Sequence, residues 1–418
     1  MNKRIFCEIL AIAFAVAAFA QSSTRSAYSQ YGIGLLADQS TGFSRGMNGA
    51  GLGLRQGNVV NTLNPASYSA IDSLTMVFDM GISGQFTQFR EGTMKVNAKT
   101  ASFDYAVGSF RLFRKVGMAF GLLPLSNIGY NYTVEETIKN SGAVSKAAYT
   151  GSGGLHQVFL GLGWQVFRPL SIGVNASYLW GDLNRSVVTS GTTEIVAMSR
   201  YYSASIHNFT LDFGLQWNQP IGKNDVVTLG LTTGIGHKLG DAKCQEGSNS
   251  ASTATVEKGY ALPMTYGAGI AWKHGMSLLV DADFTLQQWG KLDYPAMNEK
   301  GNYVLQSGLL KDRYQVRLGA DYTPNPIGRK LAQRIHYRLG AGYTTPYYKI
   351  KDNDGPKEFS VTAGVGLPLQ NAYNNRSVLN ISAQWVHTSA KNLITENSFR
   401  INIGLTFNER WFAKWRVD

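Results

Sequence analysis

From Leu74 to Ile82 apolar side chains hold every even position (Leu74, Met76, Phe78, Met80, Ile82), while Thr75, Val77, Asp79, Gly81 and Ser83 fill the odd ones. That period of two is the signature of a strand with one apolar face. It returns as Leu170, Ile172, Val174, Ala176, Tyr178 and Trp180, then as Phe209, Leu211, Phe213, Leu215 and Trp217. Further copies run through Met276–Leu286, Tyr314–Tyr322, Ile335–Tyr343 and Phe359–Leu367, and the last is Phe399, Ile401, Ile403, Leu405 and Phe407. With weaker runs near Phe103, Val116, Val158, Leu229, Leu262 and Leu379, the pattern predicts about fourteen strands, each with a core near the length a tilted membrane strand requires. An even count returns the chain to the side from which it entered. Very short turns, at 113–115, 168–169 and 273–275, alternate with longer polar loops, roughly 137–151, 185–201, 238–258 and 289–302, as the two ends of an outer-membrane barrel do.

A soluble sandwich would alternate too, so the composition of the second face matters. Here that face is Gly, Ser, Thr and Asn with occasional Asp or Arg, which suits a crowded wet bore better than open solvent. Trp164, Tyr178, Trp180, Trp217, Trp272, Tyr322 and Trp385 lie toward strand ends, as an interfacial girdle would. The expected fold is all-β, a transmembrane antiparallel barrel of residues 73–412.

Ahead of the strands stands a secretory leader: Met1-Asn2-Lys3-Arg4, an apolar run and Ala18-Phe19-Ala20, so residues 1–20 read as a signal peptide. Cys7 falls inside it, which leaves Cys244 as a single thiol without an internal partner. Residues 21–72 follow neither period. Gly46-Met47-Asn48-Gly49-Ala50-Gly51-Leu52-Gly53 and Asn64-Pro65-Ala66 permit a compact, irregular path, so this segment reads as a plug that folds into the bore. Residues 413–418 read as a periplasmic tail. The 418-residue chain carries 46 glycines, 16% charged residues and a net charge of +12. Its basic residues are scattered, so nucleic acid is not an expected partner.

The leader, the glycine-rich segment with Asn64-Pro65-Ala66, the strand count and a third strand reading Phe120-Gly121-Leu122-Leu123-Pro124-Leu125-Ser126-Asn127 together resemble the FadL/TodX-type outer-membrane transporters of fatty acids and other hydrophobic compounds. The resemblance implies that Asn64, Pro65 and Ala66 belong to a hatch, and that an interruption at Leu123, Pro124 and Leu125 opens a lateral exit to lipid. The residues point the same way, because Pro124 lacks the N–H its ladder position would donate. The alternative is that Pro124 simply ends the spanning part of the strand. The tail from Asn408 to Asp418 departs from the usual barrel ending, in which an aromatic closes the chain.

Ionisable residues on the inward register are Asp79, Asp104, Asp212, Asp281, Asp283, Asp321, Arg313, Arg317, Arg334, Arg338 and Arg400. Arg313 and Arg317 on one strand and Arg334 and Arg338 on the next should share one wall. That wall either pairs with aspartates and plug backbone or holds an acidic head group. Gly42-Phe43-Ser44-Arg45-Gly46 matches a nucleophile pattern, but no strand-to-helix turn surrounds it. The scattered histidines offer no metal spacing. The sequence therefore predicts no enzyme and no cofactor, and a passive transporter in the outer membrane of a Gram-negative bacterium. Its partners would be outer-membrane lipid and a fatty-acid-like ligand. The alternative is a non-transporting barrel subunit of a secretion or assembly complex, with partners in that complex.

Overall fold

The computed structural model describes residues 26–137, 144–191, 198–247, 252–350, 353–369 and 377–409. The leader at 1–20 and the tail at 413–418 lie outside the described residues. Fifteen strand segments build the wall: β1 (Met76–Glu91), β2 (Met94–Phe113), β3 (Val116–Pro124), β4 (Ser126–Thr137), β5 (Val144–Gln165), β6 (Leu170–Gly191), β7 (Met198–Ile221) and β8 (Asp225–Gly234), then β9 (Thr265–His274), β10 (Leu278–Gln287), β11 (Arg313–Tyr322), β12 (His336–Thr344), β13 (Lys357–Leu369), β14 (Ser377–Ser389) and β15 (Thr395–Glu409). Because β3 and β4 share one stave, the antiparallel barrel has 14 staves. It closes where β1 pairs with β15, from Met76↔Glu409 to Arg90↔Thr395.

The alternation sets the two faces as the sequence implies. Leu211, Phe213, Leu229, Leu231, Leu318, Leu339, Ile401 and Ile403 are exposed outward, while Asp79, Asn175, Gln216, Thr228, Thr362 and Asn402 are buried inward. Trp164, Trp217, Trp272 and Tyr322 project outward near the turns at one end, where amphipathic rings meet the membrane–water boundary. The chain enters β1 at this end, hereafter the inner end. No helix among the described residues is long and apolar enough to span a membrane; the strands do so.

Two sequence expectations need correction. The described residues of the stretches 137–151 and 185–201 are strand, since β5 begins at Val144, β6 runs to Gly191 and β7 begins at Met198. Beyond the membrane these staves no longer need an apolar face, so the alternation that marks them fades. Cys244 likewise lies in a short strand, Ala242–Gly247, that pairs with the outer half of β7 (Lys243↔Ser203), and it is buried.

Residues 26–75 lie against the inward faces. The β1–β15 seam receives the four-residue helix Gly42–Arg45, and β5, β6 and β7 receive the 3-10 helix Pro65–Ala70. Glycines make the close approach possible. A Cβ at Gly117 would stand 1.8 Å from the Tyr68 carbonyl oxygen, at Gly173 2.3 Å from the Pro65 carbonyl carbon, at Gly230 2.0 Å from the Leu52 oxygen, and at Gly340 2.4 Å from the Met47 carbonyl carbon. These glycines sit on staves far apart in sequence and together form a cradle for main chain. Met47, Ala50, Leu54, Val60, Ala66 and Tyr68 are completely buried within it.

The outer end is closed by packing. Tyr28 and Ile33 of the leading segment join Leu179, Leu183 and Ile206 of the wall and Trp289, Leu310, Tyr347 and Tyr348 of the outer loops in one apolar cluster. Tyr31 stacks on Tyr348 at 5.1 Å, and the Tyr347 hydroxyl donates to the Gly34 carbonyl.

Candidate functional site: the interrupted stave and the cavity behind it

The third stave is broken. β3 pairs with β5 from Val116↔Trp164 to Pro124↔His156, and β4 resumes at Ile128↔Gly153. Four steps on one side oppose three on the other, which is a bulge at the proline. Leu125, not Pro124, donates its N–H, to the Leu155 carbonyl at 2.7 Å. The disturbance crosses the neighbouring staves through glycines at positive φ: Gly153 (+108), Gly154 (+142) and Gly181 (+149). A Cβ on Gly154 would lie 2.4 Å from the Ser126 oxygen, and one on Gly181 2.1 Å from the Gly154 oxygen, so each residue is required to be glycine.

The break parts the wall. β2 pairs with β3 only from Ala106↔Leu122 to Phe113↔Val116. Its outer half, residues 94–105, pairs with β1 on one edge and with no strand on the other among the described residues. The facing edge of β4 is taken by the leading segment: Leu35 pairs with Asn127 and Leu36 with Ser126, and the Ala37 N–H donates to the Leu125 carbonyl at 3.0 Å. Leu123 is buried inward beside Tyr68, Tyr105 and Phe159. The Pro124 carbonyl accepts from Gln39 Nε2 at 2.7 Å, and Gln39 Oε1 accepts from Gln157 at 2.6 Å.

Behind this seam lies a cavity of about 450 Å³. Leu35, Leu36, Leu123, Pro124 and Leu125 line one side, and Gln287, Arg313, Arg317 and Glu358 line the other.

The sequence-selected residues divide between these features. Asn64 is fully buried: its Oδ1 accepts the Ala66 N–H at 3.1 Å and caps the helix begun by Pro65, while Nδ2 donates to the carbonyls of Leu52 (3.0 Å) and Leu215 (3.2 Å). Pro65 rests on Gly173 and Gly214. Arg317 donates to the Gly49 carbonyl at 2.9 Å and approaches Asp38 at 3.6 Å. Arg338 binds Asp321 at 2.8 Å and Asn380 at 2.6 Å, under the Phe43 ring at 4.1 Å. Arg313 borders the cavity and donates to Gln287 Oε1 at 3.2 Å. Arg334 is not on this wall. It lies in the four-residue helix Leu331–Arg334 before β12, because the β11–β12 connection coils instead of extending.

On the leading segment Arg45, Asp38 and Arg55 escaped the sequence reading, whereas Asp104 and Asp283 stand on the inward register it gave. Arg45 forms a buried ion pair with Asp104 at 2.7 Å and donates to the Ser40 carbonyl at 3.0 Å. Asp283 Oδ2 accepts the N–H groups of Gly51 (2.7 Å) and Leu52 (3.0 Å). Asp38 is shaped by opposing effects: burial works against its charge, but Arg317 and Arg45, with hydrogen bonds from Ser40, outweigh burial and hold its carboxyl at about 2. Arg55 on the same segment is lowered to about 10 by burial and by nearby Arg111. Ser44 of the Gly42–Gly46 pattern is buried in the short helix, and no hydrogen bond to a histidine is found for it among the described residues.

A 14-stave barrel with a broken third stave and a segment folded against its inner wall is the FadL/TodX-type fold of the outer membrane. Solved structures agree. The Pseudomonas putida toluene transporter TodX superposes with a TM-score of 0.62 at 15% identity, covering 91% of this chain and 100% of that one. The Ralstonia pickettii toluene transporter TbuX gives 0.61 at 14%, covering 88% and 98%. A Pseudomonas aeruginosa FadL homologue gives 0.59 at 12%, covering 89% and 99%. The BamG family model matches residues 1–418, and the chain belongs to that family. Among curated proteins none matches the sequence.

Proposed function

We propose that this protein is a passive outer-membrane conduit for a hydrophobic small molecule of the long-chain fatty acid type. The observation that carries the reading is the failure of β2 and β4 to pair beside a cavity that the same break borders. A ligand in that cavity is separated from the membrane by Leu35 and Leu36, two residues of added strand, and not by a continuous wall. Residues 21–72 act as the plug, with Asn64, Pro65 and Ala66 as its anchor. Leu123, Pro124 and Leu125 frame the exit. Arg313 is the arginine for an acidic head group, because Arg317 and Arg338 already hold plug backbone and Asp321.

The test is uptake of a fluorescent long-chain fatty acid into proteoliposomes. Deleting Leu125 removes the extra residue of the bulge and aligns β4 with β2, so uptake should fall to that of empty vesicles. Unchanged uptake through a folded barrel would overturn the lateral route.

The packed outer end favours a second reading, a non-transporting subunit of an outer-membrane assembly or secretion complex. Wild-type vesicles without uptake, together with large partners that co-purify through the outer loops, would establish it over the first.

A further inference from the structure

Both rims of the barrel carry exposed cations. At the outer end three of them meet acids, Lys146 with Glu135, Lys311 with Asp354, and Arg200 with Glu246, while Lys95, Lys243, Lys258 and Lys300 form no salt bridge among the described residues. At the inner end the turns carry exposed Arg114, Lys115, Arg168, Lys223, Arg329 and Lys330, and none of the six forms a salt bridge among the described residues. Asp225, the first residue of β8 at that end, already accepts from Trp272 and His274, each at 2.9 Å.

A second regularity coincides with the first. Beside each cation the same turn exposes a large apolar side chain: Phe113 (67%), Phe167 (46%), Ile221 (54%) and Ile327 (80%). Most of these turns span only a few residues between strands, so the cations stand just beyond the apolar belt. A long basic side chain at that level lays its stem on hydrocarbon and lifts its charge to the phosphate plane.

We propose that the inner rim is a ring of binding positions for phospholipid phosphate, selective for anionic lipids of the inner leaflet. The distribution argues for lipid over a protein partner. The cation–apolar pairs recur in turn after turn around the barrel, as an annulus of lipid would require, whereas a docked protein needs them gathered on one side. Acidic lipid supplies the charge that these six side chains lack among the described residues.

The experiment is native mass spectrometry of the detergent-solubilised full-length protein with phosphatidylglycerol and phosphatidylcholine of identical acyl chains. The wild type should retain phosphatidylglycerol with a preference of up to about fivefold per site, the effect of one basic residue at an anionic surface. A variant with Arg114→Gln, Lys115→Gln, Arg168→Gln, Lys223→Gln, Arg329→Gln and Lys330→Gln should bind both lipids alike. A half-variant carrying the first three substitutions should lose about half of the retained phosphatidylglycerol. Heat-modifiable electrophoretic mobility reports that each barrel is folded. Two results would overturn the proposal: an undiminished preference in the folded sixfold variant, or no preference in the wild type together with salt-sensitive capture of an acidic periplasmic protein by the same six residues.

Discussion

Gly230→Ala adds a single methyl group at the point where β8 meets the segment inside the bore. Its Cβ would stand 2.0 Å from the Leu52 carbonyl oxygen and 2.6 Å from its carbon, whereas comfortable contact begins near about 3.5 Å. Something must yield by more than about 1 Å. The β8 backbone is held by ladders to β7 and β9, so the segment should give way. The Leu52 carbonyl accepts from Asn64 Nδ2 at 3.0 Å and from Gln216 Nε2 at 3.2 Å. Losing both costs about 2 kcal/mol and the overpacking about 1–3 kcal/mol, for a sum of about 3–5 kcal/mol. That sum corresponds to an opening of the segment about 10²- to 10⁴-fold more frequent. Hydrogen exchange of the amides from Gly51 to Ser69, with tryptic cleavage at Arg55 as a second readout, should register it while thermal unfolding of the barrel stays unchanged. Gly84→Ala is the control, since no atom lies within 4 Å of its added Cβ. Protection at Gly51–Ser69 equal to wild type in a folded Gly230→Ala protein would refute the glycine cradle.

Other expectations follow from the same contacts. Arg45→Met leaves Asp104 buried without its cation and should destabilise the protein by about 3–5 kcal/mol, with the Arg45→Met, Asp104→Leu pair recovering most of it in thermal melts. Tyr347→Phe removes the hydroxyl that receives the Ile33 N–H at 3.2 Å and donates to Gly34; amide exchange at Ile33 and Gly34 should rise by the equivalent of about 1–3 kcal/mol, the barrel melt staying fixed. Asp38 is held at about 2 against an ordinary value of 3.8. A depressed carboxyl stabilises the fold above its unfolded pKa and loses that contribution as pH falls. Protection of the segment should therefore weaken between about pH 4 and pH 2 by about 2 kcal/mol, and Asp38→Asn should abolish that dependence. Protection factors, corrected for the intrinsic pH dependence of exchange, that do not change in this window would contradict the Asp38–Arg317–Arg45 arrangement.

The wall was legible because the membrane imposes a rule on every stave that crosses it, and a period of two survives in a single sequence. Pro124 was legible for the same reason, as a missing donor in a ladder. Where the rule lapses, so did the reading: the outer halves of β5, β6 and β7 mix polar side chains with apolar ones such as Leu183 and Ile206 that pack against the outer cluster, and their residues carry no period of two. The glycines of the cradle looked like ordinary small residues of the wet face, because what makes Gly173 or Gly230 necessary is a carbonyl contributed by Pro65 or Leu52, more than a hundred positions earlier. Gly153, Gly154 and Gly181 are the far side of the break at Pro124, and no sequence spacing links them to it. Arg334 was misplaced because counting an alternation backward from β12 assumes extended chain, and the chain there makes a helical turn.

The first described residues meet the start of the final stave at the outer mouth. Ser26 Oγ donates to Glu396 at 2.7 Å, and the Tyr28 hydroxyl donates to the carbonyl of Ile394, at the start of the final stave. Synthesis and export deliver the first of these residues long before the last. The interior can therefore be finished only after the concluding hairpin has arrived, and the earliest residues must wait within a half-built, unzipped sheet. A polypeptide stalled before Thr395 would present its leading segment to whatever machinery inserts it, a state distinguishable by protease from the completed molecule.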